Sequence, residues 1–565
     1  MNDVAPHTRN SCLLIAVLCS ALSFLLLLPG LNAPFVTTGE PREAVVAQTM
    51  ILEGDVLKSV RYDQDLATKP PLLHWGMVLA ARAFGGLSEA ATRLPSVVAA
   101  SVALGFWAFF LLPIISRQKT LLTLAILFTA AEWYRHAALA RVDMLLASCC
   151  TLSLVFLYWW MTQQRILYLV LATLPLALGA LTKGPVGAAL PLFMAFVALA
   201  YWRKLSWSRL FSMSICGAVS LLPLIVWYGS QYSTAGEASL SVAIHENLDR
   251  LLGTMSDGTD PHSHGPGYLV GVLLAGFLPW SLIFLALIPM FWKKASRSGL
   301  MGIDEEKELL QWCAIISIVC FGFFLIPSSK RSSYLLPMYP AVATLLSALF
   351  SRFTEIKLNA AKQIAKGFGI FVLVVWTLLL LVRLGPVDGE VIASLTKKPE
   401  RILFYLNTFQ LRSADLSLSF LLGNAFLLGA VGFLAFSSSL APLFRFSAAF
   451  VALLVAVKWS YIMPAAEALT PRDFIAMELR DHAPTELSME TERMYAEVFY
   501  ARRINPQLPV TEYRPGSQYV LRWSDDAPLL DTRVYSHISP TSIEKPEKRL
   551  EFVILSPVGD PKPEG

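Results

Sequence analysis

The chain has 565 residues, of which 55% are hydrophobic and only 15% are charged, and its mean hydropathy is +0.55. Soluble domains average about 25% charged residues, so this composition excludes an ordinary soluble protein. The formal net charge of +5 indicates little by itself, and no nucleic-acid partner is expected. Runs such as 12–30 and the one containing 368–382 approach the roughly 20 apolar residues that cross a bilayer. The composition therefore predicts a polytopic, all-α membrane protein.

Hydropathy predicts about thirteen transmembrane helices. We interpret the first as a retained span, because it is long for a signal peptide and no small-residue cleavage site follows it. Short basic connections at 116–119, 201–209 and 292–299 are expected to face the cytoplasm. An odd number of spans then places the N-terminus in the cytoplasm and the C-terminal tail outside it. The predicted spans are 12–30, 93–113, 120–134, 143–161, 166–181, 185–201, 210–229, 268–291, 309–326, 335–350, 367–384, 416–437 and 441–463.

Two predicted outer loops are too long to be simple connectors. The loop 31–92 contains two helical patterns, 40–54 and 70–86, which are too short and too polar at their starts to span. Both fit helices that lie at the membrane surface. The second long loop is 230–267. We expect these two loops to form the active site of a transmembrane domain that covers 1–463.

The tail, 464–565, differs from the rest in being rich in charged residues, proline and tyrosine. Its runs 518–523 and 550–555 have the pattern of strands. The tail is long enough for a small soluble α/β domain, which would lie outside the cytoplasm. All seven cysteines fall in apolar segments, which predicts small buried side chains rather than disulfides.

Ionisable residues collect at the predicted outer ends of the spans. Charge at membrane depth is costly, so such residues usually pair or serve a function. For any single lysine or arginine the alternative is an interfacial anchor that contacts lipid phosphate. Six clusters on one side favour a functional site instead. They are Glu40, Arg42 and Glu43; Lys69; Arg141 and Asp143; Lys183; Glu246, Asn247 and Arg250 with His262 and His264; and Lys330 with Arg331.

The order of short motifs along residues 10–345 resembles the lipid-carrier-dependent glycosyltransferases of the GT-C superfamily. The motifs are "EPR", "KPPLL.W", "R.D..L", "LTKGP", "EN..R", "H.P..Y", "PW" and "YLLP.YP". They look most similar to the branch that contains the bacterial aminoarabinose transferases of lipid A and the protein-mannosyltransferase-like enzymes. The resemblance implies a multi-pass protein of the cytoplasmic (inner) membrane with a periplasmic active site.

The resemblance also implies roles for particular residues. The family has an Asp-Glu pair at the start of the first outer loop, where this chain has Gly39 and Glu40. The family's Glu-Lys-Pro-Pro motif begins here with Thr68 and Lys69. In aminoarabinose transferases that glutamate helps to hold a metal together with a histidine that His264 matches, so a divalent metal is one cofactor that the resemblance suggests. The other positions that match the family's pattern are Arg141, Asp143, Lys183, Glu246, Asn247, Arg250, Lys330 and Tyr334.

The expected reaction explains these residue types. The donor would be a sugar on a polyprenyl phosphate, whose phosphate leaves and needs stabilisation by fixed cations or a metal. Lys69 would contact that phosphate, with Lys330 and Arg331 adding to the clamp. A hydroxyl acceptor needs a carboxylate base, for which Glu40 and Asp143 are the candidates. A phosphate acceptor needs none. The predicted catalytic residues are thus Glu40, Asp143 and Lys69, the predicted metal ligand is His264, and the predicted substrate-binding residues are Arg42, Arg141, Lys183, Glu246, Asn247, Arg250, Lys330, Arg331 and Tyr334.

The acceptor stays open between a glycolipid such as lipid A and a protein, and direct attack would invert the anomeric carbon. Two other classes of function stay open as well. One is a flippase or transporter for a lipid-linked sugar, which would favour internal repeats and polar groups at the bilayer midplane. The other is a degenerate, non-catalytic member, which the departures at Gly39 and Thr68 favour and the retained charged residues oppose.

Overall fold

In the computed structural model the chain is mostly helical, as the composition predicts. The described residues are 9–35, 37, 39–61, 66–244, 264–292, 304–327, 329–356, 358–383, 424, 429, 442–458, 462–463, 466–467, 470–489, 494–514, 517–523, 532–538 and 550–556. The helices are α1 (Arg9–Leu27), α2 (Gly39–Glu53), α3 (Leu72–Phe84), α4 (Glu89–Leu111), α5 (Arg117–Thr129), α6 (Ala131–Ala137), α7 (Val142–Gln163), α8 (Ile166–Lys183), α9 (Val186–Tyr201), α10 (Trp207–Ala235), α11 (Glu237–Ile244), α12 (Gly267–Gly276), α13 (Trp280–Trp292), α14 (Asp304–Leu325), a 3₁₀ helix (Ser332–Met338), α15 (Tyr339–Ile356), α16 (Leu358–Arg383), α17 (Pro442–Val457), α18 (Arg472–His482) and α19 (Tyr495–Ile504).

Seven helices in the described part of the chain are long and apolar enough to cross a membrane, which establishes a multi-span membrane protein. An eighth span results if α12 and the start of α13, which meet at a bend of 112°, are counted as one. The predicted total of thirteen stays a prediction, because the spans predicted at 120–134, 185–201 and 441–463 fall on helices of 13 to 16 residues. Within α16, the apolar stretch that corresponds to the span predicted at 367–384 is only Lys366–Leu378. Nearly all of the span predicted at 416–437 lies outside the described residues.

The two helices predicted in the first outer loop are present as α2 and α3. Their surroundings, however, differ from those expected of two helices that lie at the membrane surface. Helix α2 is buried on most of its length, because its apolar residues pack against α3 and the start of α7 on one side and the C-terminal tail on another. Helix α3 keeps an exposed apolar face, with Leu79 71% and Phe84 70% exposed, which fits contact with lipid.

The tail folds into a small α/β unit, as predicted. Its five strands are β1 (Leu487–Met489), β2 (Val510–Glu512), β3 (Tyr519–Trp523), β4 (Thr532–Ile538) and β5 (Leu550–Ser556). They form one mixed sheet in the order β2-β1-β3-β5-β4, with parallel pairs at β1 and antiparallel pairs at β5. The strands predicted at 518–523 and 550–555 are β3 and β5. All seven cysteines are free and buried or half-buried.

The tail docks directly onto the first outer loop. The Phe35 ring packs edge-on against Phe499 at 5.1 Å between centroids, and its backbone N–H donates to the Tyr500 hydroxyl at 3.2 Å. The Gln48 amide of α2 donates to the Phe499 carbonyl at 3.0 Å. Apolar packing and these hydrogen bonds therefore fix α2 between the membrane part and the tail.

Candidate active site

One pocket gathers charged residues from five separate parts of the chain. It is a narrow cleft that opens to solvent, and its free volume is about 20 Å³. Its wall comes from the start of α2, the segment before α3, the start of α7, the end of α8 and the segment that enters the 3₁₀ helix. The lining residues are Arg42, Glu43, Lys69, Arg141, Val142, Asp143, Lys183, Arg331 and Tyr334.

Asp143 and Lys183 form the tightest ion pair in this pocket. The Lys183 ammonium donates to Asp143 Oδ1 at 2.6 Å, and Arg141 Nε lies 3.5 Å from Oδ2. The Lys183 ammonium also lies 4.7 Å from the centre of the Tyr334 ring, close enough for a cation–π contact. The predicted substrate residues on α7, α8 and the 3₁₀ helix thus meet at one point.

Local structure fixes Lys183 in this position. Gly184 follows it with φ +80°, a conformation that favours glycine and that ends α8 at the lysine. A cation in the last turn of a helix also interacts favourably with the helix dipole. The glycine of the motif "LTKGP" therefore ends the helix at Lys183 and so places the cation of this lysine on the pocket wall.

Glu43 is the second carboxylate of the pocket, and its partner His74 was not predicted as a site residue. Arg42 donates to Glu43 Oε1 from Nη2 at 2.7 Å and from Nε at 3.1 Å. His74 Nε2 lies 3.0 Å from Oε2. Burial raises the pKa of the Glu43 carboxyl, but the Arg42 charge and the hydrogen bonds outweigh it, so this pKa lies well below its ordinary value. The sequence feature that could have indicated His74 as a site residue is the presence of a histidine inside the apolar run "PPLLHWG".

Glu40, the predicted base, lies behind the pocket rather than on its wall. It is fully buried, and Arg93 of α4 donates to both its oxygens, at 2.7 and 3.0 Å. The backbone N–H of Ala140 donates to it as well, at 3.0 Å. Arg93 also donates to the carbonyls of Leu31 and Ala33. This position gives the predicted catalytic role of Glu40 no geometric support.

The remaining predicted residues fall into three groups. Lys69 and Arg331 line the pocket as expected. Lys330 is buried and donates to the Pro327 carbonyl at 2.6 Å, outside the pocket wall. Glu246, Asn247 and Arg250 lie outside the described residues.

The donor set does not fit the divalent metal that the resemblance suggests. His264 stacks on the Tyr268 ring at 4.1 Å between centroids, and Thr68 stands where the family's acidic ligand would be. Over the described parts of the chain no three His, Cys, Asp or Glu side chains gather as ligands. We therefore derive no chemical step through a metal.

The charge balance of the pocket decides what it can bind. Among the described residues, five cationic side chains and two carboxylates line it. The two carboxylates are held by Lys183, Arg141, Arg42 and His74. Clustered cationic side chains of this kind are able to bind an anionic group such as a phosphate.

Comparison with solved structures identifies the fold. The crystal structure of ArnT from Cupriavidus metallidurans bound to undecaprenyl phosphate superposes with a TM-score of 0.65, at 18% identity, over 97% of this chain and 99% of that chain. The apo form of the same protein gives a TM-score of 0.63. The chain has the ArnT fold. The GT-C resemblance of its motifs is thereby confirmed at the level of the fold.

Sequence comparison agrees with this fold. The chain is 25% identical over 347 residues to an uncharacterized protein of Aquifex aeolicus. It is 23% identical over 348 residues to an undecaprenyl phosphate-alpha-4-amino-4-deoxy-L-arabinose arabinosyl transferase of Pseudomonas paraeruginosa. Each match covers 60% of this chain and 62% or 60% of the relative, so the chain spans about three fifths of the length of these relatives. No protein-family model matches the chain.

Proposed function

We propose that this ArnT-like chain is a glycosyltransferase that uses a sugar carried on a polyprenyl phosphate. The observation that carries the proposal is the pocket itself, in which Lys69, Arg42, Arg141, Lys183 and Arg331 face one space beside two carboxylates. A lipid phosphate would enter from the membrane and place its charge among these cations. The arabinosyl transferases among the relatives, and the ArnT structure that holds undecaprenyl phosphate, support this choice of donor.

The reaction is a single displacement at the anomeric carbon of the sugar. An acceptor oxygen forms a bond to that carbon, and the bond from the carbon to the phosphate oxygen breaks. The electron pair stays on the phosphate, where the pocket cations stabilise the added charge. Attack from the side opposite the phosphate inverts the anomeric configuration. The acceptor is a lipid A-type glycolipid or a protein that presents a nucleophilic oxygen.

Two measurements on the full-length protein test this proposal. Undecaprenyl phosphate is added to the purified protein in detergent, and binding is read by native mass spectrometry. Membranes from a deletion strain, which contain the donor and the unmodified acceptor, are then incubated with the protein. Their lipids and proteins are compared by mass spectrometry with and without it.

We expect one bound carrier and one acceptor whose mass rises by a single sugar. Binding with no modified lipid or protein would contradict the transferase and favour a transporter. Absence of both binding and product would contradict the choice of donor as well.

We further propose that the pocket and the tail, 464–565, lie on the extracytoplasmic side, with 1–463 forming the membrane domain. The basic connections between the spans support this orientation. Single cysteines placed at exposed positions report it: Asp55 in the first outer loop, Glu486 in the tail and Gln118 before α5. An impermeant maleimide applied to the outer face should label the first two and leave the third unlabelled. Labelling of Gln118→Cys with protection of Asp55→Cys would reverse the orientation.

A further inference from the structure

Three observations single out one carboxylate of the pocket. Glu40 is enclosed by Arg93 and does not reach the pocket. A Cβ atom added at Gly39 would overlap the Arg141 guanidinium, so the space beside Gly39 is filled by a cation. Glu43, one helical turn after Gly39, does line the pocket. The pocket-facing acid of α2 therefore stands at position 43.

We propose that Glu43 is the carboxylate that contacts the acceptor, and that buried His74 is the positioning residue that holds it. The inference rests on the proposed transferase function and deepens it, because a carboxylate base implies an acceptor with a hydroxyl group. The hydroxyl proton passes to Glu43 as the oxygen attacks the anomeric carbon. The carbon–phosphate oxygen bond breaks, and its electron pair remains on the carrier phosphate.

Asp143 is the other carboxylate of the pocket, and its surroundings suit it less well to accept a proton. Each of its oxygens faces a cation: Oδ1 faces Lys183 at 2.6 Å and Oδ2 faces Arg141 at 3.5 Å. Glu43 has a cation, Arg42, on one oxygen only, and an imidazole on the other. One adjacent positive charge weakens a base less than two do.

His74 is placed to orient Glu43 rather than to react. Its side chain is fully buried and is not part of the pocket wall. Because a carboxylate only accepts, Nε2–H of the imidazole donates to Glu43 Oε2. Nδ1 is buried and has no hydrogen-bond partner among the described residues. The imidazole therefore has one polar contact in the described structure, and that contact fixes the carboxylate.

Other charges also act on the protonation of Glu43. The helix that carries Glu43 supplies Arg42, and α3 supplies His74. The other charged groups that face the same pocket are Lys69, Arg141, Asp143, Lys183 and Arg331. Since most of them are cations, they favour the ionised form of the Glu43 carboxylate.

Five variants of the full-length protein test the inference: Glu43→Gln, Glu43→Asp, His74→Phe, His74→Gln and the control Glu53→Gln. Glu53 lies on the same helix, is exposed and pairs with Lys58. Initial rates of product formation are measured with the deletion-strain membranes from about pH 3, below the ordinary pKa of a carboxyl group, up to about pH 9. Binding of undecaprenyl phosphate is measured in parallel.

Glu43→Gln should lower the rate roughly a hundredfold or more, while the protein still folds and binds the carrier at least as tightly as the wild type. Glu43→Asp should keep a fraction of the rate, and Glu53→Gln all of it. His74→Phe removes the donor to Oε2 and so raises the pKa of Glu43. The acid limb of the pH–rate profile should therefore move to higher pH. His74→Gln, which retains an N–H donor, should move it less.

Two results would overturn the inference while leaving the transferase in place. One is a Glu43→Gln rate within twofold of wild type. The other is an acid limb that His74→Phe leaves unmoved. A wild-type protein that binds no undecaprenyl phosphate and forms no product would instead remove the proposed function, and the inference with it.

Discussion

Two groups of charged residues lie side by side at the same end of the helix bundle. They differ in their access to solvent and in the balance between positive and negative charges. The closed group consists of Glu40 with Arg93, and Glu89 with Arg503. The open group is the pocket around Asp143. In the closed group the carboxylates are almost fully buried. Glu40 pairs with Arg93, and Glu89 pairs with Arg503 and lies 3.8 Å from Arg472. In the open group cations outnumber carboxylates.

This difference separates a structural role from a functional one. A buried ion pair with matched charges has no reason to attract a ligand, because the partners already satisfy each other. In the open group, five cations and two carboxylates of the described residues line a space that opens outward, an arrangement that attracts an anion. The closed group fixes the position of α2, and the open group is the site that we propose for the substrate.

The largest effect should come from breaking the fully buried Glu40–Arg93 pair of the closed group. Removing one partner of a buried pair costs about 3–5 kcal/mol, because it leaves the other charge uncompensated. Glu40→Leu should therefore lower the melting temperature strongly, as should Arg93→Met, which also frees the carbonyls of Leu31 and Ala33. Thermal unfolding in detergent measures both.

The double variant Glu40→Leu/Arg93→Met gives the control. If the two residues act as one structural pair, it should melt no lower than the less stable single variant, since the second change removes no further compensated charge. A Glu40→Leu protein that melts like wild type but transfers no sugar would instead restore Glu40 as the base that the sequence predicts.

The next largest effect concerns the open group. Lys69→Ala removes a cation aimed at the leaving phosphate and should lower the transfer rate about a hundredfold or more, as does the loss of one such donor elsewhere. The melting temperature should change little. Lys58→Ala is the matched control, because Lys58 belongs to the same loop but pairs with exposed Glu53. Lys69→Arg should restore little of the transfer rate, since the planar guanidinium group of arginine and the compact ammonium group of lysine contact a phosphate in different geometries. Near-normal transfer by Lys69→Ala would reduce Lys69 to an interfacial anchor.

Much of the fold follows from sequence patterns that depend on local physics. The length of an apolar run predicts spans such as α4 and α7. Runs of β-branched and aromatic residues predict the strands β3 and β5. The number of spans is harder to predict, because a hydropathy window averages over the bend of 112° between α12 and α13. It also gives shorter apolar helices such as α9 the same weight as full spans.

The site was predictable only where a motif fixes its own geometry. Lys183 follows from "LTKGP", because Gly184 ends the helix there. The choice between Glu40 and Glu43 does not follow, since the two acids lie one turn apart on α2 and only the rotation of that helix decides which faces the pocket. That rotation depends on packing against α3 and the distant tail, which no local pattern encodes.

A smaller effect should separate binding from transfer within the open group. Asp143→Asn removes a carboxylate that Lys183 and Arg141 now neutralise, which leaves both cations available to a phosphate. The affinity for undecaprenyl phosphate should rise, on the order of tenfold at low salt, and the gain should shrink as salt is added. Binding titrations at two ionic strengths measure this. Weaker binding by Asp143→Asn would mean that the ion pair orients Lys183 for the ligand.

The smallest effect concerns the link between the closed group and the tail. Arg503 Nη1 lies 2.7 Å from Glu89 Oε2, but the Arg503 side chain is 44% exposed, and such pairs contribute about 1 kcal/mol or less. Arg472, 3.8 Å from the other oxygen, would keep Glu89 partly compensated. Arg503→Ala should therefore shift the melting temperature only slightly and leave transfer unchanged. Phe35→Ala, which removes an aromatic contact buried between the tail and the first loop, should destabilise more and serves as the comparison. If Arg503→Ala were the more damaging of the two, charge rather than apolar packing would hold the tail in place, and the transfer rate would then fall as salt rises.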